Sequence, residues 1–139
     1  MIELGFNSYI NYMSECCRNK AALIVDDEDG IRETMSFILE RRFGRVFTAV
    51  DGNSALNILN KEKIDFVITD INMPGMDGRE FVKRVRSDIK DLPVIFIMSG
   101  NDLLLNELKK EDIVSQALEK PIQVNNLFAL IDSKFSQKP

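Results

Sequence analysis

The sequence predicts a doubly wound α/β domain, built on a five-stranded parallel sheet in the order 2-1-3-4-5. Two observations carry this prediction. Short apolar, β-branched runs alternate strictly with segments whose apolar residues recur at helical spacing. The helical segments link successive strands, which makes the strands parallel and the crossovers right-handed. An open sheet of five such strands, covered on both faces, is most simply wound in that order. At 139 residues the chain is long enough for one core that needs no covalent staples. We divide it into an N-terminal extension over residues 1–20, the domain over 21–135 and a tail over 136–139.

Within the extension, Phe6, Tyr9, Ile10, Met13 and Cys17 would line one face of an amphipathic helix; a frayed tail is the alternative. Ala21 to Val25 is a short apolar strand that ends in Asp26-Asp27-Glu28. Gly30 to Phe43 reads as a helix with Ile31, Met35, Ile38 and Leu39 inward, and Gly44 supplies its stop. Arg45 to Ala49 is the second strand, and Asp51-Gly52 the turn after it. The following helix runs through Glu62 and buries Ala55, Leu56 and Leu59.

The third strand, Ile64 to Thr69, leads to Asp70 and a loop rich in turn residues, Pro74, Gly75 and Gly78. A helix over Gly78 to Ile89 turns Phe81, Val82 and Val85 inward. Val94 to Met98 is apolar at every position, as in a strand covered on both faces. Leu103 to Asp112 is read as helical, and Ile113 to Leu118 alternates as an edge strand does. Val124, Leu127, Phe128, Ile131 and Phe135 form the stripe of a final helix.

Composition excludes several classes of function. Apolar residues make up 45% and charged residues 29%, as in an ordinary globular protein, and no apolar run approaches the roughly 20 residues that span a bilayer. A net charge of −4 argues against nucleic acid as the main partner. Cys16 and Cys17 are adjacent, without the spacing or the companions of a metal or redox motif. With no basic, apolar leader at the start of the chain, they predict a reducing, cytoplasmic setting. There is no histidine, so Ser-His or Cys-His nucleophiles and histidine metal clusters are excluded within this sequence. The chemistry rests on carboxylates, lysine and hydroxyls.

Those groups fall at one end of the predicted sheet. Strand one ends at Asp26 and Asp27, strand three at Asp70, strand four at Ser99 and strand five at Lys120. Strands one and three are neighbours at the switch point of the sheet, where open α/β sheets bind ligands. Three carboxylates there repel one another unless a cation offsets them, and a hard divalent ion such as Mg²⁺ (or Mn²⁺) suits oxygen ligands. Lys120 can reach the same cleft as a point charge, and Ser99 offers a hydroxyl. Such surroundings suit a phosphoryl group, with Asp70 as its nucleophilic acceptor. Gly100 leaves the approach unobstructed.

Val25-Asp26-Asp27-Glu28, Asp51-Gly52 with Ala55-Leu56, Asp70 through Gly78, Ser99-Gly100 and Lys120-Pro121, taken together in order, resemble the receiver domains of two-component response regulators. The resemblance covers Ala21 to about Phe135 and implies the flavodoxin-like receiver fold. It implies that Asp70 accepts a phosphoryl group from a histidine kinase or His-phosphotransfer protein. Asp27, Asp70 and the backbone carbonyl of Asn72 would bind the metal directly, and Asp26 through water. Ser99 and Lys120 would hold phosphoryl oxygens, the Lys120–Pro121 peptide would be cis, and Asn72 and Asn101 would set the hydrolysis rate. Beyond its own phosphorylation and dephosphorylation, no enzymatic activity is expected. With four residues after Phe135, a stand-alone receiver is expected, acting by protein contact or by phosphotransfer.

Two departures bear on output. Ala117 stands where the family places a Tyr or Phe three residues before the lysine, so the aromatic relay between site and surface is missing. The text before the fifth strand, Asp112-Ile113-Val114-Ser115-Gln116, lacks the family's Gly-Ala. Leu103-Leu104-Leu105 spans about 200° of a helix, which exposes at least one leucine and suggests a surface for the downstream partner. Ala117 keeps a second reading open, a phosphorylation-independent adaptor with the same fold. A Mg²⁺-dependent phosphohydrolase with an aspartate nucleophile wants an acid two residues after it, and that position is Asn72, which cannot shuttle a proton. A flavin module would need a phosphate cradle where Asp26-Asp27-Glu28 stands.

Overall fold

Every position of the first strand is buried, which only a strand covered on both faces achieves. The computed structural model of the protein describes residues 17–100, 106, 107, 110 and 114–135. Its elements are β1 (Ala21–Val25), α1 (Asp29–Leu39), β2 (Arg45–Ala49), α2 (Gly52–Lys61), β3 (Phe66–Asp70), α3 (Gly78–Asp88), β4 (Val94–Ser99), β5 (Gln116–Glu119) and α4 (Val124–Phe135). The five strands form one parallel sheet in the order β2-β1-β3-β4-β5. The fold is the predicted doubly wound one.

Strand alternation divides the core in two. Leu23, Val25, Val67, Ile95, Ile97 and Ala117 face α2 and α3, which contribute Ala55, Leu56, Leu59, Phe81, Val82 and Val85. Ala22, Ile24, Phe66, Ile68, Phe96 and Met98 face α1 and α4, which contribute Met35, Leu39, Leu127 and Ile131. Phe66 stands at the centre of the second layer, stacked on Phe43 and edge-on to Phe96. Each fully buried Phe or Leu contributes about 1.5–3 kcal/mol of apolar transfer.

The bounds of β3, β5 and α1 differ most from the sequence reading, each for a local reason. The ladder of β3 starts at Phe66 rather than Ile64, because the Asp65 carboxylate accepts the Ala21 N–H at 2.9 Å. It runs on through Asp70, since the next residue, Ile71, still donates its N–H to the Met98 carbonyl at 3.1 Å. β5 starts at Gln116 rather than Ile113: the Ser115 hydroxyl accepts the Ile95 N–H at 3.3 Å, where a strand would use a carbonyl. α1 closes at Leu39 rather than Phe43. There Arg41 and Arg42 donate to the carbonyls of Ile38 and Leu39, three residues back, and the turn carries Arg42 and Phe43 inward. Gly44 is required by proximity as well as by the turn, since a Cβ would lie 2.0 Å from the Arg18 carbonyl oxygen.

Asn106 and Glu107 are helical, within the predicted 103–112 helix. The remainder of that segment through residue 113, except Lys110, lies outside the described residues, as do the predicted leucine surface at Leu103–Leu105, Asn101 and residues 1–16 of the extension. Cys17, the last apolar residue of the predicted N-terminal stripe, is buried in the layer beneath α1 and α4.

Candidate functional site

Parallel strands present their carboxyl ends along one edge, so the polar residues that stop four apolar runs meet there. Asp26 follows β1, Asp70 and Ser99 are the last residues of β3 and β4, and Lys120 follows β5. The ladder places Asp70 beside Met98 and Ser99 beside Glu119. The Lys120 N–H donates to the Ser99 carbonyl at 2.9 Å, which ties these two site residues through their backbones. The Lys120–Pro121 peptide is cis.

Asp70 is 5% exposed. Its Oδ2 lies 3.1 Å from the Lys120 ammonium, and its Oδ1 accepts the Asn72 backbone N–H at 3.3 Å. Gly78, at the start of α3, donates its N–H to the Ile71 carbonyl at 2.8 Å and packs directly against the backbone of Asp70 and Ile71. A Cβ on Gly78 would fall 2.5 Å from the Asp70 carbonyl oxygen, so only glycine permits this approach.

Asp26 is fully buried and Asp27 exposed. One carboxylate oxygen from each of Asp26, Asp27 and Asp70 lies within 4.8 Å of the others, and this is the one such group among the described residues. Asp26 Oδ1 accepts the Glu28 N–H at 2.9 Å. Asp26 Oδ2 is buried without a hydrogen bond, at 3.9 Å from the Lys120 ammonium. Burial raises the Asp26 carboxyl above the usual aspartate range; the Glu28 N–H lowers it, Asp70 raises it, Lys120 lowers it and Asp27 raises it. One ammonium among three carboxylates leaves the cluster short of positive charge. An unsatisfied buried oxygen beside two more carboxylates fits a hard divalent cation.

Ser99 is buried at the rim, and Gly100 is exposed with open space where a Cβ would stand. Ala117 is 7% exposed and lies opposite Ile97 in the layer beneath α2 and α3. Asn72 is exposed. Two participants were missed in the sequence. The Asn72 N–H on Asp70 follows from the turn itself, as aspartates commonly bind the N–H two residues on. Arg32, whose Nη1 donates to the Asp26 carbonyl at 2.7 Å, sits six residues from its partner with no local signal to mark it.

Comparisons with known proteins agree with this fold. Residues 22–132 match the family model described as the response regulator receiver domain. The chain is 32% identical over 109 residues to sporulation initiation phosphotransferase F of Bacillus subtilis, covering 78% of this chain and 88% of that protein. It is 35% identical over 130 residues to chemotaxis protein CheY-3 of Vibrio cholerae, covering 86% and 95%. A crystal structure of a response regulator receiver domain protein from Clostridium thermocellum superposes with a TM-score of 0.75 at 28% identity, covering 84% and 94%. Among the described residues no helix is long and apolar enough to cross a membrane. With the family match spanning most of the chain and the sheet order in agreement, the protein belongs to the response regulator receiver domains of two-component signalling.

Proposed function

We propose that Asp70 is the phosphoacceptor of this receiver and that its phosphorylation depends on Mg²⁺ or Mn²⁺. The observation that carries the reading is the position of the Asp70 carboxylate at a strand end. It lies 3.1 Å from the Lys120 ammonium and shares an acidic cluster in which Asp26 Oδ2 has no hydrogen bond. A carboxylate oxygen of Asp70 attacks phosphorus, and the bond from phosphorus to the donor's nitrogen or oxygen breaks with its electron pair leaving on the donor. Lys120 moves its charge from the Asp70 carboxylate to the arriving phosphoryl oxygens, and Ser99 donates its hydroxyl to another. Asp26, Asp27, Asp70 and the Asn72 carbonyl are the groups that would hold the cation. When bound, it supplies positive charge against the phosphoryl oxygens and the three carboxylates.

The sequence contains no histidine, so the phosphoryl group comes from outside it, from a histidine kinase or His-phosphotransfer protein, and leaves by hydrolysis or onward transfer. Asn72, two residues after the acceptor, and Asn101, two after Ser99, set the hydrolysis rate. Signalling proceeds by contact with a downstream protein. A second reading, an adaptor that binds its partner whether or not it is phosphorylated, draws on Ala117, whose methyl group has no rotamer to report on the site. Incubation with acetyl phosphate and Mg²⁺, followed by intact mass measurement, tests the proposal. Wild type gains one phosphoryl group, while Asp70→Asn and wild type with chelator gain none. No adduct on wild type would overturn the phosphoacceptor reading, and equal partner affinity before and after modification would favour the adaptor.

A further inference from the structure

The last sheet bond of the first strand is donated by the Asp26 N–H to the Ala49 carbonyl at 3.1 Å. Beyond it the backbone leaves the ladder, yet Asp27 must still aim its carboxylate at the point that Asp26 and Asp70 share. Because a peptide is planar, the orientation of the unit joining Asp26 to Asp27 sets the direction in which the Asp27 side chain departs. The carbonyl of that unit accepts from Arg32 Nη1 at 2.7 Å, a charge-assisted bond.

Arg32 is well placed to hold it. Its own N–H donates to the Glu28 carbonyl at 3.1 Å in the first turn of α1, so its Cα is fixed relative to the loop. Its side chain is 14% exposed, and Nη2 pairs with the exposed Asp29 carboxylate, so one planar group bridges both ends of the loop. The Asp26 carboxylate is secured separately by the Glu28 N–H. The two neighbouring acids are thus held by different means, Asp26 through its side chain and Asp27 through the peptide before it.

We propose that Arg32 is a positioning residue for the carboxylate cluster, holding the Asp26–Asp27 peptide so that Asp27 converges with Asp26 and Asp70 on a divalent cation. This rests on the cation-binding reading of those three acids. Arg32 touches neither cation nor phosphoryl group; it lowers the cation concentration at which the site fills.

The test is the Mn²⁺ dissociation constant of the full chain, followed by water-proton relaxation, together with the Tm of the metal-free protein. Arg32→Gln is expected to weaken Mn²⁺ binding about tenfold, the usual scale for groups that support metal ligands. Arg32→Lys, which keeps the charge but loses the two-pronged geometry, weakens it nearly as much. In phosphorylation by acetyl phosphate, both variants need correspondingly more Mg²⁺ and reach the wild-type rate once it saturates. A role confined to folding would lower the Tm without moving the metal constant. A folded Arg32→Gln protein with the wild-type constant would overturn the proposal, as would full retention of affinity in Arg32→Lys, which would assign the effect to charge. If Arg32→Gln does not fold, Arg32→Lys decides. Wild type and Asp27→Asn separate the two levels: no saturable binding to wild type, or equal binding to Asp27→Asn, overturns the cation reading itself and Arg32 with it.

Discussion

Desolvation dominates the environment of Asp26: its carboxyl is fully buried, and the Glu28 N–H and Lys120 offset only part of the resulting rise in pKa. The folded protein therefore keeps a proton on this group to higher pH than the unfolded chain does. Stability falls as pH rises from the ordinary aspartate value of 3.8 through the raised folded value, and levels off above it. Asp26→Asn removes this penalty, so the metal-free variant should melt higher than wild type at neutral pH and lose that part of the pH dependence. Thermal melts across pH check this; a lower Tm at neutral pH would contradict it. A cation acts in the opposite sense on wild type, stabilising it by about 2.7 kcal/mol at a hundredfold excess over its dissociation constant, if it binds only the folded state. Asp26→Asn should reduce that increment.

The helices are fixed by contacts at their ends as much as by their apolar stripes. Asp51 caps α2 by accepting the Ser54 N–H at 2.8 Å, and this bond, with the Ser54 side chain, holds the Asp51 carboxyl below its usual range. Asp51→Ala should cost about 1 kcal/mol, read from denaturant melts. Because the folded pKa is lowered, the cap's contribution is full above the ordinary aspartate value and is lost as pH falls through the folded one, so the cost should shrink in acid. At the other end of the fold, Arg42 Nε lies 3.1 Å from Asp132 Oδ1, and its guanidinium is 4.0 Å from the Phe128 ring centroid. Both side chains are buried, which joins the turn after α1 to α4. Arg42→Ala takes the cation from a buried carboxylate and should cost about 3 kcal/mol, whereas Arg42→Met with Asp132→Leu should cost far less. Equal losses in denaturant melts would show that packing, not charge, is what Arg42 supplies.

Across the whole molecule, the sheet order and the site were legible together because each apolar run ends in a polar residue on the same side. Asp26, Asp70, Ser99 and Lys120 could be placed on one edge from strand direction alone. What escaped the sequence was held by side chains standing in for backbone, or by partners distant along the chain. The Asp65 carboxylate and Ser115 hydroxyl take ladder positions that no hydrophobic pattern marks, and the Arg42–Asp132 pair spans 90 residues. The cap at Asp77, which accepts the Glu80 N–H at the start of α3, is by contrast a local feature whose Asp-x-x-Glu spacing the sequence reading passed over. Phosphorylation of Asp70 would replace the carboxylate's single negative charge with the roughly −1.5 to −2 of a phosphoryl group, a net gain of about half to one negative charge at the sheet edge. All of this turns on one carboxylate. The most direct test is to phosphorylate wild type with acetyl phosphate and Mg²⁺, reduce the acyl phosphate with borohydride and map the peptides. Reduction should convert residue 70 alone to homoserine, with no conversion in Asp70→Asn. Homoserine at another aspartate, or an unmodified residue 70 in phosphorylated protein, would contradict the assignment.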